Sequence, residues 1–305
     1  YVLVTYLVAE RSALSYAVGE WARVWPLSAL VRSMGAYFIR RQRRGQRNDR
    51  LYRRVLARYV QMATAAGVTQ ALFPEGGLSL DGHLAPAKAG LLRYIREGAA
   101  ASGRDVVFVP VALSYDRVLE DRVLLGAAEA GTRRFRARLP TILRFAGRMG
   151  WLRLRGRFRR FGQAGVTLGR PLPLSEAPAR ADDLAGELMA RIAAAMPLLP
   201  VPLVARALAD AGGPLTRAGL VAQVGRTLAE AGRDPEEAEA AVAEGLRRLR
   251  LRKLVRTGPA GIEPAPGTSR LIRFYAAAAR PGGPAPLPAP SSAGAAALPV
   301  ASVGT

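Results

Sequence analysis

The residues best suited to bind an anionic substrate lie in a glycine-rich segment, Phe73 to Ser79, that follows a short predicted strand. Gly76 and Gly77 lack side chains, so their backbone N–H groups can approach an anion closely, and the Ser79 hydroxyl can donate to a phosphate oxygen. Glu75 supplies a carboxylate that can accept hydrogen bonds from the loop backbone or from substrate hydroxyls. Ordinary turns have a similar composition, so the segment alone does not identify a site.

Two other strand ends present polar side chains. Arg40 and Arg41 directly follow a predicted strand, Ala36–Ile39, and a guanidinium group can bind a phosphate through two parallel N–H donors. A third strand, within Val109–Tyr115, ends in a serine and a tyrosine. By themselves, the arginines also fit a solvated surface and the third strand fits plain core. The presence of all three segments favours a phosphate site.

The elements that must position these residues alternate between helical and strand-like patterns. Apolar residues have helical spacing from Ala13 to Met34, with a kink or boundary at Pro26. The order strand, helix, strand, helix, strand is typical of an α/β domain whose sheet is at least partly parallel. The predicted strands are 36–39, 70–73, 105–113 and 166–168, and the predicted helices between them are 48–66 and 88–100.

The chain is strongly basic and yet half apolar. Its 305 residues include 45 basic and 23 acidic side chains, a formal charge of +22, and 50% of the residues are hydrophobic. We expect such a chain to fold and to have a polyanionic partner, which can be nucleic acid, an anionic membrane or a phosphorylated substrate. Cysteine is absent and His83 is the single histidine, so we expect no disulfide, no metal site and no cofactor.

The composition changes after the predicted α/β domain, which we place at residues 1–178. Residues 179–280 are rich in alanine, leucine, arginine and glutamate at helical spacing. Two helices and a short hairpin in this part predict a smaller helical, winged-helix-like module. Residues 281–305 carry no charge and consist mostly of proline, alanine, glycine and serine, which predicts a disordered tail.

A basic segment within the α/β domain, residues 131–160, contains eleven arginines and no acidic residue. Aromatic side chains such as Trp151 and Phe158 lie among the arginines, which suits a segment at the interface of an anionic membrane. The same composition fits a single-stranded nucleic-acid groove, a dock for an acidic partner protein, or an arginine-rich surface without a partner. We favour the membrane as the partner over nucleic acid.

In chain order, the segments around Arg41, Glu75 and Pro110 resemble three sequence blocks of the glycerol-3-phosphate acyltransferase family, within the glycerolipid acyltransferase superfamily. The resemblance covers about residues 1–175 and implies an acyltransferase-type mixed sheet flanked by helices. It also implies substrate contacts at the matched positions. These are Phe38, Ile39, Arg40, Arg41, Glu75, Gly76, Gly77, Ser79, Lys88, Pro110 and Tyr115.

The resemblance implies transfer of a fatty acyl group from acyl-CoA or acyl carrier protein to a hydroxyl of glycerol 3-phosphate, in bacterial phospholipid biosynthesis. Arg41 matches the family's phosphate-binding arginine. The implied location is peripheral, on the cytoplasmic face of the inner membrane. Leu78 stands where the family usually has arginine, so lysophosphatidate or dihydroxyacetone phosphate stays open as the acceptor. A non-catalytic lipid- or nucleic-acid-binding role also stays open.

The family's catalytic block, His-x-x-x-x-Asp, is missing from this sequence. His83 is followed five residues later by Lys88 rather than by aspartate, so we expect it to be a surface loop residue. In the family, the aspartate precedes an apolar helical run such as Tyr1 to Val8. We therefore expect the dyad directly before Tyr1, where its histidine would be the general base. The chain from Tyr1 onwards is then expected to be inactive alone.

Overall fold

The computed structural model of the chain describes residues 2–10, 12–19, 27–39, 49–77, 79–129, 147–148, 150–156 and 162–279. Over these residues the fold is mixed α/β, with small sheets in the first part and a helical C-terminal part. The predicted fold class is confirmed. Most of the basic segment 131–160 and the whole predicted tail 281–305 lie outside the described residues.

A parallel sheet with helices between its strands forms the first part of the chain. Its elements are α1 (Val2–Val8), β1 (Ser15–Gly19), α2 (Leu27–Ser33), β2 (Ala36–Ile39), α3 (Asp49–Ala65), β3 (Gln70–Ala71) and α4 (Gly90–Ser102). The strand order is β2-β1-β3, and Tyr16 in the central strand lies opposite both Ala36 and Ala71. The expected strands at 36–39 and 70–73 and the helices that follow them are present.

The helix expected from Ala13 to Met34 is wrong, because the central strand β1 lies in this stretch. Tyr16 and Val18 are buried, and the residues that alternate with them are only half-buried. The strand is hydrogen-bonded on both sides, so pairing with two neighbours and burial of one face outweigh the helical spacing of the apolar residues. Among the described residues of this stretch, those of helix α2 are helical as expected.

Two antiparallel strand pairs follow the parallel sheet. The elements here are β4 (Val107–Phe108), β5 (Val111–Tyr115), α5 (Asp121–Glu129), β6 (Ala164–Leu168), β7 (Leu172–Pro173) and α6 (Ala181–Ala194). The single strand expected at 105–113 is divided, with β4 paired to β7 and β5 paired to β6. Pro110 lies at the division because proline has no N–H to donate to a strand ladder.

The C-terminal part is a helical module with a β-hairpin. Its elements are α7 (Pro200–Ala211), α8 (Arg217–Glu230), α9 (Ala238–Leu251), β8 (Val255–Gly258), β9 (Gly261–Pro264) and α10 (Ser269–Ala277). Thr216 caps α8 by accepting a hydrogen bond from the Gly219 N–H group at 3.1 Å. Helices α8 and α9 and the hairpin β8–β9 are those expected for the winged-helix-like module.

The largest apolar cluster joins this module to the first part of the chain. Leu220, Leu246 and Tyr275 are among its buried members in the module. Leu124 of α5 belongs to the same cluster, and Leu80 of the glycine-rich loop packs against it. The loop and helix α5 therefore share a core with the C-terminal module.

Candidate functional site

Two of the predicted site segments leave the parallel sheet at the same edge. Strand β2 ends at Ile39 and is followed by Arg40 and Arg41, which lie outside the described residues. Strand β3 ends at Ala71 and leads into the glycine-rich loop, residues 73–88. Because β2 and β3 are both parallel to β1, their carboxyl ends lie at one edge of the sheet. Open α/β sheets bind ligands outside this edge.

The glycine-rich loop is closed on itself by two hydrogen bonds. At its base, the backbone N–H of Lys88 donates to the carbonyl oxygen of Pro74 at 2.8 Å. Further along, the backbone N–H of Ala85 donates to Oε2 of Glu75 at 2.7 Å. A hydrogen bond to a carboxylate is stronger than one between neutral groups. Glu75 therefore orders the loop, which is one of the two roles suggested by the sequence.

Lys88 places a positive charge beside the paired glycines. Gly76 has a φ of +63°, and a Cβ atom on it would lie 2.8 Å from Nζ of Lys88. The lysine side chain thus lies across a residue that has no side chain of its own. Gly76, Gly77 and Lys88 are all exposed. The N–H group of Gly76 donates to the carbonyl oxygen of Phe73 at 2.9 Å, so the backbone donor offered beside the ammonium group is that of Gly77, and this pair suits the binding of a phosphate.

Ser79 takes part in a turn at the outer end of the loop. Its Oγ accepts a hydrogen bond from the backbone N–H of Gly82 at 2.9 Å and lies 3.4 Å from Oδ1 of Asp81. Oδ1 of Asp81 also accepts the backbone N–H of His83 at 3.0 Å. The imidazole of His83 is about half exposed, at 52%, as expected for a surface loop residue. The long Ser79–Asp81 contact is weak, so the hydroxyl can turn to a substrate.

Phe38 and Ile39 lie in strand β2 rather than in the loop. Phe38 packs with the apolar cluster of the parallel sheet, and the guanidinium carbon of Arg32 lies 5.2 Å from its ring centre. Ile39 pairs with Gly19 at the carboxyl end of the strands. Both residues therefore position the chain immediately before Arg40.

Pro110 and Tyr115 lie in the region of the antiparallel strands. The buried Pro110 accepts a hydrogen bond on its carbonyl oxygen from the N–H of Gly169 at 2.8 Å. Tyr115 is the last residue of β5, opposite Ala164, and partial burial raises the pKa of its hydroxyl. The structure thus brings Glu75, Gly76 and Lys88 together in one loop, whereas Pro110 lies between strands β4 and β5 and Tyr115 lies at the end of β5.

A buried carboxylate directly after β5 was missed by the sequence reasoning. Asp116 accepts hydrogen bonds from the backbone N–H of Val201 at 3.0 Å and of Gln163 at 3.1 Å, and it forms an ion pair with Arg248. Its side chain is 0% exposed, and burial raises the pKa of the carboxyl. An acidic residue at the end of an apolar strand in an arginine-rich chain was the available signal.

A shallow, open and mainly apolar surface depression lies beside the returning arm of the glycine-rich loop. Residues 84–87 form one wall, and Gly186, Met189, Ala190 and Ala193 of helix α6 form the other. Small and apolar side chains of this kind suit a hydrocarbon chain.

Two further properties of the described residues bear on function: their clusters of metal-binding side chains and the length and hydrophobicity of their helices. Among the residues that the structure describes, no group of three or more histidine, aspartate and glutamate side chains is placed to hold a metal ion. In the same part of the chain, no helix is long and apolar enough to cross a membrane.

The region of the parallel sheet and the glycine-rich loop matches a known family. The family model described as Acyltransferase matches residues 2–114, from helix α1 to strand β5. This part of the chain is therefore similar to the acyltransferase family.

Curated proteins similar to the chain are glycerol-3-phosphate acyltransferases. The protein from Pseudoalteromonas atlantica is 32% identical over 123 residues, which are 39% of this chain and 15% of that protein. Those from Pseudomonas fluorescens and Pseudomonas syringae pv. tomato are 30% and 31% identical over 179 residues, which are 58% of this chain and 20% of each. The resemblance found in the sequence is confirmed, although the matched part spans a fifth or less of these relatives.

Proposed function

We propose that this chain is part of an enzyme that transfers a fatty acyl group from a thioester of coenzyme A or acyl carrier protein to a hydroxyl of glycerol 3-phosphate, in phospholipid biosynthesis. The glycine-rich loop carries the proposal, because the Lys88 ammonium group lies beside the Gly76–Gly77 backbone in the region that matches the Acyltransferase family model. The names of the similar proteins support glycerol 3-phosphate as the acceptor.

In the proposed reaction, the acceptor hydroxyl attacks the thioester carbonyl carbon directly. A C–O bond forms, the C–S bond breaks, and the hydroxyl proton passes through a general base to the departing thiolate. Lys88 and the backbone N–H group of Gly77 hold the acceptor phosphate together with Arg40 and Arg41, which follow strand β2 at the same edge of the sheet. Their part is to bind and orient the hydroxyl, which converts an encounter into a positioned reaction.

The substrate and the reaction are tested by an acyl-transfer assay on the chain produced together with any coding sequence that precedes Tyr1. The acceptors are glycerol 3-phosphate, dihydroxyacetone phosphate and lysophosphatidate, with a long-chain acyl-CoA and the corresponding acyl carrier protein as donors. We expect the highest kcat/KM with glycerol 3-phosphate. A higher value with another acceptor would contradict the substrate, and absence of transfer to all three would favour the non-catalytic binding role.

We further propose that the enzyme is peripheral on the cytoplasmic face of an anionic membrane. The described end of the basic segment supports this, because Trp151 is 49% exposed and Leu154 is 89% exposed. The guanidinium carbon of Arg155 lies 4.1 Å from the Trp151 ring centre. An exposed tryptophan and leucine next to arginine suit the headgroup region of a bilayer.

Removing both exposed side chains is expected to weaken membrane binding. In the variant Trp151→Ser with Leu154→Ser, we expect binding to phosphatidylglycerol vesicles to fall by at least about tenfold, because burial of each large apolar side chain contributes about 1.5–3 kcal/mol. Sedimentation with vesicles measures this. Leu251→Ser is the control, because Leu251 is an exposed residue (51%) of helix α9. Equal binding by both variants and the wild type would exclude this membrane surface.

A further inference from the structure

The outer end of the glycine-rich loop rests on the backbone of the C-terminal module. Gly82 has a φ of +88°. A Cβ atom on it would lie 2.0 Å from the carbonyl oxygen of Phe274 in helix α10 and 2.9 Å from its carbonyl carbon. These are backbone atoms of a buried helical residue, so they cannot move aside as the end of a flexible side chain would. Glycine is therefore required twice at this position, for its conformation and for this close approach.

Two further contacts tie the same turn to its surroundings. The side chain of Leu80 packs against the apolar cluster of the C-terminal module. The N–H of Gly82 donates to Oγ of Ser79 at 2.9 Å, so the residue that meets α10 is also the hydrogen-bond partner of a predicted substrate contact. A movement of α10 would therefore displace Gly82 and change its hydrogen bond to Ser79.

Helix α10 is fixed in turn to the segment that follows strand β5. The hydroxyl of Tyr275, the residue after Phe274, donates to Oδ2 of Asp121 at 2.6 Å. It accepts the backbone N–H of Val118 at 3.1 Å and a guanidinium N–H of Arg252 at 2.9 Å. Arg252 also forms an ion pair with Asp121. The hydroxyl thus uses its one donor and both acceptor positions.

Burial of this hydroxyl keeps its proton in place. Burial raises the pKa of Tyr275 to about 12, with the neighbouring Asp121 acting in the same direction. The side chain of Asp121 is 5% exposed and that of Arg252 is 16% exposed. A satisfied polar network in such surroundings has one preferred geometry, because breaking any member leaves a buried polar group without a partner.

We infer that helix α10 is a positioning element of the acceptor site. Through Phe274 it holds the turn Ser79–Gly82, and through Tyr275 it holds the segment Val118–Asp121, so that one helical turn fixes the glycine-rich loop relative to the end of strand β5. The part of this inference that concerns the acceptor rests on the proposed function. The mechanical coupling between α10 and the loop does not.

The coupling is tested with Gly82→Ala in the full chain. We expect hydrogen exchange of the backbone amides of His83 and Ala85 to become at least about tenfold faster, because the added Cβ forces the turn away from α10. Exchange in strand β1 and helix α8 should stay at the wild-type rate. Gly267→Ala is the matched control, since Gly267 has a similar φ of +74° and a Cβ there would meet no atom within 4 Å.

Tyr275→Phe is a second variant that tests the same coupling if Gly82→Ala does not fold. It removes only the hydroxyl, and we expect faster exchange in the same loop amides; Tyr6→Phe is its control, because the Tyr6 side chain is exposed (71%). Wild-type exchange in the loop of folded Gly82→Ala or Tyr275→Phe would overturn the inference.

A second readout separates the coupling from the proposed function. If α10 positions the acceptor site, both variants should weaken glycerol 3-phosphate binding, or raise its KM, by at least about fivefold while the acyl-donor KM is unchanged. Faster loop exchange in variants of a wild-type chain that binds no glycerol 3-phosphate would support the coupling and contradict the proposed acceptor. An equal effect on both substrates would contradict specific positioning and indicate general loosening of the fold.

Discussion

Replacing Asp116 with alanine is expected to lower the free energy of unfolding by about 3–5 kcal/mol, because it removes a buried carboxylate that binds Arg248 and two backbone N–H groups. Arg248 keeps its ion pair with Glu244. The side chain of Asp116 is 0% exposed and that of its partner Arg248 is 16% exposed. The backbone N–H groups of Val201 and Gln163 also lose their acceptor. Urea denaturation followed by circular dichroism measures the loss.

The matched control for Asp116→Ala is Glu239→Ala. Glu239 forms an ion pair with Arg217, but both side chains are more than half exposed, at 62% and 53%. We expect this control to cost less than about 1 kcal/mol, because water and salt screen an exposed pair. Equal losses in the two variants would contradict the role of Asp116 as the buried link between strand β5 and the C-terminal module.

Replacing Arg41 with alanine is expected to weaken the binding of glycerol 3-phosphate by about 10- to 100-fold. A hydrogen bond to a charged group contributes about 1.5–3 kcal/mol, and each 1.4 kcal/mol is a factor of ten in affinity. Arg41→Lys should have an intermediate effect, because lysine keeps the charge but lacks the two parallel donors. Isothermal titration calorimetry measures the dissociation constants.

A control for charge accompanies the Arg41 variants. Arg93→Ala lowers the net charge by the same amount on helix α4, where the Arg93 side chain is 62% exposed. Its affinity for glycerol 3-phosphate should stay within about twofold of the wild type at physiological salt, where distant surface charges are screened. If Arg41→Ala binds as tightly as Arg93→Ala, Arg41 is not the phosphate ligand.

Local sequence patterns predicted the helices and strands whose conformation depends mainly on residues close to them in the sequence. The short strand before Arg40 and helices α3 and α4 were found from apolar spacing and from glycine and proline positions. Strand β1 was missed because Ser15–Gly19 has no strong strand composition and gains its stability from two partners elsewhere in the chain. Pro110 was visible in the sequence, but the division of its strand depends on where β6 and β7 pair.

The candidate site was likewise predicted only where its residues lie close together in the sequence. The glycine-rich loop and its residues Glu75, Gly76 and Lys88 lie close in the sequence, so their association could be read from a motif. The pair Asp116–Arg248 joins residues 132 positions apart, and the contact of Gly82 with Phe274 spans an even longer stretch of chain. Such contacts form only when the C-terminal module packs against the first part of the chain. No local pattern around Asp116 or Gly82 predicts this packing.

Hydrogen exchange with and without glycerol 3-phosphate tests most directly whether the glycine-rich loop binds the acceptor. It is measured on the chain from Tyr1 onwards, with glycerol at the same concentration as the control that lacks the phosphate. We predict slower exchange at Gly76, Gly77 and the amides from Ser79 to Lys88 with glycerol 3-phosphate only. Unchanged exchange in this loop, or equal slowing by glycerol, would contradict its assignment as the acceptor phosphate site.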